Sequence, residues 1–377
     1  MAKEEPIGTD ANSGHEPQLH KFFRVAIKTQ ASDLHLKVGQ PPKLRVQGLL
    51  KDTTGEVMTK ERIEQMVFEI LTPSQKETLI NSGTLDFAYE IEDHERFRMN
   101  VFRQRGLTSL AARRVSTEIL TFDKLNLPSI LENICDTNQG LVLAVGPTGC
   151  GKTTTMVSML DYINSNRSCH IVTIEDPIEY LISDKKAIVS QREIGIDVED
   201  FEQALKYLMR QDPDVVCIAE MRDTKSITAG MRAAETGHLV FGTMHSASAT
   251  HAVQRLLDLF PPNERDLARQ TLSVAIKAII SQILMPSIKE GVDRIPVVEI
   301  LLANPTTGKL IYEGRESELP ILIRSCREEG MQDLTDNLVE MIQNGSIEPK
   351  EAYKHAPNVD ELKMALKGIR ADTTGIL

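Results

Sequence analysis

The chemistry in this chain is concentrated in one short run, Gly146-Pro147-Thr148-Gly149-Cys150-Gly151-Lys152-Thr153-Thr154-Thr155. It follows the apolar segment Leu141-Val142-Leu143-Ala144-Val145 and precedes a stretch with helical spacing, so a strand runs into a GxxxxGK[ST] loop and then a helix. The glycines let successive backbone N–H groups curl around phosphate. Lys152 reaches the terminal phosphates as a positive charge, and the Thr153 hydroxyl is placed to hold Mg²⁺. The implied ligand is a nucleoside triphosphate. A chance glycine-rich turn is the competing reading, and the strand, the Lys-Thr pair and the helix around the loop all argue against it.

Three more polar groups end apolar runs. Ile171-Val172-Thr173-Ile174 ends at Glu175-Asp176, Val215-Val216-Cys217-Ile218-Ala219 ends at Glu220, and Leu239-Val240-Phe241-Gly242-Thr243 leads to His245. In an open parallel α/β sheet ligands lie beyond the carboxyl ends of the strands, so these groups are expected to converge with the loop. Hydrolysis of a phosphoanhydride needs a water in line with the leaving oxygen and an acceptor that polarises it. Glu175, at a strand end before Pro177, is the expected base; a turn or capping carboxylate is the alternative. Glu220 is expected to support Mg²⁺ through a bound water, against a plain salt bridge to Arg222. His245 is expected to hydrogen-bond the γ-phosphate or the loop that senses it. His238 flanks the same strand and is divided between that role and a cap. No CxxC pair or complete histidine set is present, so a transition metal held by the protein is not expected.

The elements that must position these groups fall into two regions of a 377-residue chain. Residues 1–17 are polar and read as a disordered leader. Residues 18–120 carry short alternating segments such as Arg96-Phe97-Arg98-Met99-Asn100-Val101-Phe102, and predict a small α+β domain with an antiparallel sheet. Helical spacing over Lys60–Leu71 and Pro73–Ser82, with caps at Thr59 and Thr72, belongs to that domain. A linker is expected over 121–127. From 128 to 377 strands and helices alternate, which predicts a parallel sheet covered on both faces, followed by C-terminal helices.

The formal charge is −11, which disfavours general affinity for nucleic acid or an anionic bilayer. Arg98, Arg103, Arg105, Arg113 and Arg114 nonetheless cluster within a short span. The five cysteines are dispersed, which argues against a disulfide framework and for a reducing compartment. The N-terminus has no apolar core of a signal peptide, and no run reaches bilayer length. Leu272 to Met285, the nearest candidate, is interrupted by Lys277 and reads as a buried amphipathic helix.

The phosphate loop, Thr173-Ile174-Glu175-Asp176-Pro177-Ile178-Glu179-Tyr180, Arg210-Gln211-Asp212-Pro213-Asp214 leading to Ala219-Glu220-Met221-Arg222-Asp223, and Gly237-His238-Leu239-Val240-Phe241-Gly242-Thr243-Met244-His245 together resemble the secretion ATPases of type II secretion and type IV pilus systems. In family terms these are Walker A, aspartate box, Walker B and histidine box, in the expected order. Ala31-Ser32-Asp33-Leu34-His35-Leu36 and Phe97-Arg98-Met99-Asn100 extend the likeness upstream. The short N-terminal region and the missing paired CxxC motifs resemble the retraction ATPases of twitching motility.

The resemblance implies a RecA-like P-loop NTPase core with a smaller PAS-like α+β N-terminal domain, assembled as a homo-hexamer that hydrolyses ATP with Mg²⁺. It implies a cytoplasmic protein, peripheral at the inner face of the cell membrane, with no direct membrane insertion and no nucleic acid. Its partners would be an inner-membrane pilus platform protein and, indirectly, pilin. Arg98 and Arg113 match the family's arginine positions, and Arg105 lies in the same segment; such arginines neutralise charge during phosphoryl transfer. Two departures stand out. Ala219 replaces the usual Gly before Glu220, and Leu310-Ile311-Tyr312-Glu313-Gly314-Arg315-Glu316 occupies the place of the AIRxGK-type segment linked to retraction. A pilus-extension or secretion motor, and an assembly subunit with negligible turnover, therefore stay open as alternatives.

Overall fold

A computed structural model describes residues 16–46, 48–91 and 95–369, and the chain divides into two units, Met1–Thr117 and Glu118–Leu377. Nearly all of the expected leader lies outside the described residues. In the smaller unit the strands are β1 Asp33–Leu36, β2 Lys43–Val46, β3 Leu49–Asp52, β4 Thr84–Ile91, β5 Glu95–Gln104 and β6 Leu107–Arg114. They form an antiparallel sheet in the order β3-β2-β1-β6-β5-β4. Strict alternation decides its faces. Phe97, Met99 and Val101 of β5 are buried under the helices His20–Lys28 and Lys60–Ile70, with Phe23 stacked on Phe97 at 4.3 Å. Arg98 between them is exposed. Helices start where the caps allow. Thr59 accepts from the Arg62 N–H, and Thr72 and Gln75 form a reciprocal capping box ahead of Pro73.

The larger unit contains β7 Gly140–Val145, β8 His170–Glu175, β9 Ile188–Glu193, β10 Val215–Ile218, β11 Leu239–Met244, β12 Ile276–Pro286 and β13 Arg294–Leu302. The order is β13-β12-β7-β11-β10-β8-β9, parallel except for β13. Every residue of β7 is buried, as a strand with helices on both faces requires. Leu141, Leu143 and Val145 enter the core shared with helices Thr224–Glu235, Ala249–Asp258 and Arg265–Ala275. Val142 and Ala144 enter the core shared with helix Lys152–Asn166. Burying each such aliphatic side chain contributes about 1.5–3 kcal/mol.

Two expectations are corrected here. Leu272–Met285 is not one helix: the helix Arg265–Ala275 ends and β12 begins at Ile276. An unbroken apolar run does not distinguish a buried strand from a buried helix, and Ile276, Ile279, Ile280 and Ile283 suit the sheet between β7 and β13. The segment expected as a linker is packed into the larger unit. Phe122 and Leu127 are buried, Phe122 stacks on Tyr162, and Ser158 Oγ donates to the Leu120 carbonyl at 2.6 Å. At the C-terminus, helices Leu334–Gln343, Pro349–His355 and Val359–Leu366 cover Met285, Ile295 and Val297, with a turn at Gly345 where φ is +69°.

Candidate active site

Parallel register puts the ends of β7, β8, β10 and β11 at one edge of the sheet: Val145 pairs with Met244, and Ile218 with both Ile174 and Gly242. A cavity of about 500 Å³ opens there. Among its lining residues are Thr148, Gly149, Lys152, Thr153, Glu175, Glu220 and His245, so the loop and all three strand-end groups meet in one place.

Helix Lys152–Asn166 starts from Gly151, which has φ of +91° and no side-chain cap. Its first N–H groups are therefore aimed at the cavity mouth as an anion site. Gly146, at φ +152°, and Gly149, at φ +78°, complete the turn around Pro147 and Thr148. Cys150 points inward and is buried; burial, the largest influence, raises its thiol pKa. Lys152 Nζ donates to the Gly146 carbonyl at 2.9 Å and the Pro147 carbonyl at 3.0 Å. An ammonium has three donors, which leaves one for phosphate. The Thr154 hydroxyl does not face the loop; it lies 3.0 Å from Tyr180 Oη.

The two carboxylates are held differently. Glu175 is 6% exposed and accepts from Thr173 Oγ1 at 2.6 Å and Gln191 Nε2 at 2.9 Å. Burial pushes its pKa up, opposed by those hydrogen bonds and by the Glu179 N–H. Glu220 stands 2.5 Å from Arg222 Nη2 and 3.3 Å from His245 Nε2. The Arg222 hydrogen bond is the main cause of its lowered pKa, with burial opposing and the charges of Arg222, His245 and Lys152 assisting. The salt bridge weighed against a metal role thus exists, and Glu220 lines the cavity as well.

His245 follows Thr243, whose hydroxyl donates to the Ala219 carbonyl and ties β11 to the segment carrying Glu220. His238 is elsewhere. It precedes β11 at the opposite edge of the sheet, where its Nδ1 lies 3.0 Å from the Ala233 carbonyl, so the cap reading applies and the phosphate reading does not. Arg98 and Arg113 belong to the smaller unit. They are directly paired across β5 and β6, and Arg113 Nε lies 2.8 Å from Asp33 Oδ1. The cavity is lined by the larger unit alone.

Sequence reasoning missed Thr173, Gln191 and Gln282. Each is a polar residue inside an otherwise apolar or alternating strand, and a buried polar group demands a partner. That demand was the available signal. Gln191 also donates to the Tyr180 carbonyl and accepts from the Ile182 N–H, both at 2.8 Å, which fixes the chain after Pro177.

Residues 10–294 match the family of type II/IV secretion system proteins. The chain belongs to this family. Its larger unit is a RecA-like ATPase core, and the protein is a nucleotide-binding ATP hydrolase. It is 35% identical to the type IV pilus ATPase PilU of Pseudomonas aeruginosa, covering 93% of this chain and 91% of that protein. It is 36% identical to the pilus retraction ATPase PilT of the same organism, over 89% of this chain and 97% of that one. The crystal structure of the pilus retraction motor PilT with bound ADP superposes with a TM-score of 0.85 at 38% identity, covering 92% of this chain and 99% of that chain. Among the described residues no helix is long and apolar enough to cross a membrane.

Proposed function

We propose that this secretion-family ATPase is a motor of type IV pilus retraction. It works as a homo-hexamer at the inner face of the cell membrane against an inner-membrane pilus platform protein, and through it removes pilin. The observation that carries this reading is the likeness to a retraction ATPase across both units, at 97% of that protein's length.

In the chemistry proposed for the site, the loop N–H groups and the free donor of Lys152 hold the phosphates. Glu175 accepts the proton of the attacking water as the bond to the leaving oxygen lengthens. Thr153 and Glu220 fit Mg²⁺: both line the cavity, and Glu220 stays ionised, with carboxylate oxygens that would accept hydrogen bonds from a metal-bound water. Bound there, Mg²⁺ supplies neutralisation of the charge growing on the phosphate oxygens. His245, beside Glu220, orients that carboxylate and senses phosphate. Arg98 and Arg113 are offered to the nucleotide of a neighbouring subunit, with Asp33 holding Arg113 by its Nε.

Deleting the gene in a piliated cell tests the reading. Pili are expected to persist on cells that no longer retract them, with rescue by the parent and none by Lys152→Ala. Loss of pilus assembly in the deletion strain would assign the motor to extension instead.

A further inference from the structure

Phosphate does not account for two of the loop's glycines. A Cβ on Gly146 would stand 2.3 Å from the backbone oxygen of Gln282 and 2.6 Å from Cys150 Sγ, and one on Gly151 would stand 2.8 Å from Gln282 Nε2. Gly149 differs: open space surrounds the place of its Cβ, and only its φ of +78° calls for glycine. Strand β12 therefore presses on the loop from behind, at Gln282.

Gln282 is 3% exposed beside Ser281 in an otherwise apolar run from Ile279 to Leu284, and both ends of its amide are used on the loop. Nε2 donates to the Cys150 carbonyl at 2.6 Å, and Oε1 accepts from Thr155 Oγ1 at 2.8 Å. A carbonyl only accepts, so the amide orientation is forced and the Thr155 hydroxyl is the donor. The two anchor points bracket Lys152 and Thr153. One side chain thus joins the turn of the loop to the first turn of the helix after it.

We infer that Gln282 is a positioning residue of the nucleotide site: its amide clasps Cys150 and Thr155 and so holds the loop N–H groups and Lys152 in their phosphate-binding arrangement. The inference rests on the loop being the nucleotide site. Without the clasp, the peptide between Cys150 and Gly151 is released at the residue whose φ is +91°, and the N–H groups no longer converge. ATP and ADP share the phosphates this arrangement grips, so binding of both depends on it.

The test uses the full chain with Gln282→Leu, Thr155→Val and the double variant, measuring the Kd for Mg-ADP by calorimetry, kcat and KM for ATP, and melting without nucleotide. Each single change is expected to weaken ADP about tenfold, the scale of losing a buried hydrogen bond and stranding its partner. The double variant should be about as weak as either single, since both break one clasp. KM should rise more than kcat falls. If Gln282→Leu does not fold, Thr155→Val, which keeps the side-chain shape, carries the test. A Kd within twofold of the parent in folded single variants, or losses that simply add, would overturn the inference. A parent chain that binds no ADP would overturn the nucleotide reading of the loop together with it.

Discussion

Two carboxylates at neighbouring strand ends, Glu175 closing β8 and Glu220 just beyond β10, meet the same cavity from different surroundings. Glu175 is nearly enclosed, with neutral donors from Thr173 and Gln191, and burial raises its pKa. Glu220 has cationic neighbours, Arg222 above all, and its pKa falls. A carboxylate that binds protons readily suits a base, and one that stays charged suits support of a cation. The contrast lies in what surrounds each strand end, because the strands themselves are alike.

The phosphate loop after β7 is the common requirement of both. Lys152→Ala is expected to abolish nucleotide binding and turnover together, because it removes the ammonium seated on the Gly146 and Pro147 carbonyls. Calorimetry with ADP and a steady-state ATPase assay check this, and tight binding by the variant would remove Lys152 from the site.

Glu175→Gln should separate binding from rate. Turnover is expected to fall by about a hundredfold or more while ATP affinity stays near that of the parent. Equal losses in both would make Glu175 a structural residue and erase its contrast with Glu220. Glu220→Gln should bind ATP and lose about tenfold or more in turnover, with the loss eased by raised Mg²⁺ concentration. Parental turnover at low Mg²⁺ would end the metal-support role.

A pH profile sharpens the comparison further. The pKa of Glu175 is raised above the ordinary 4.5, so the proton returns, and the base is lost, at a higher pH than for an exposed carboxylate. The acid limb of kcat should therefore lie above 4.5 and belong to Glu175, since Glu220 is shifted the other way. Stability follows the opposite sense. The folded state holds the Glu175 proton more tightly than the unfolded chain does, so the stabilisation is complete below the unfolded value and is lost as pH rises through the folded value. Glu175→Gln should melt no lower than the parent at neutral pH, and a drop of several degrees would contradict this. The smallest expected effect is at Arg222, whose side chain is 73% exposed. Arg222→Ala should change turnover by about threefold or less, through Glu220, consistent with an exposed ion pair.

Much of the site was legible because its pieces are local. The loop is contiguous, and Glu175, Glu220 and His245 each follow an apolar run, so a parallel sheet was enough to bring them to one edge. The smaller unit's strand alternation and the caps at Thr59 and Thr72 are equally short-range signals. His238 stayed divided between two readings because flanking a strand does not say which end faces the ligand. The Leu272–Met285 run was misread because a buried strand and a buried helix have the same composition.

The amino-acid sequence by itself determined the phosphate loop, the strand-end acids and the order in which they occur, since each depends on neighbours a few residues away. Tertiary structure alone decided what holds them. Gln282 reaches Thr155 and Cys150 across 127 and 132 residues, and Gln191 reaches Glu175 from an adjacent strand. Contacts of that kind are created when β12 and β9 take their places in the sheet, and a glutamine in a strand carries no mark of which partner it will meet. The opposite pKa shifts of Glu175 and Glu220 have the same origin, because burial and charge at a strand end are set by the elements packed around it.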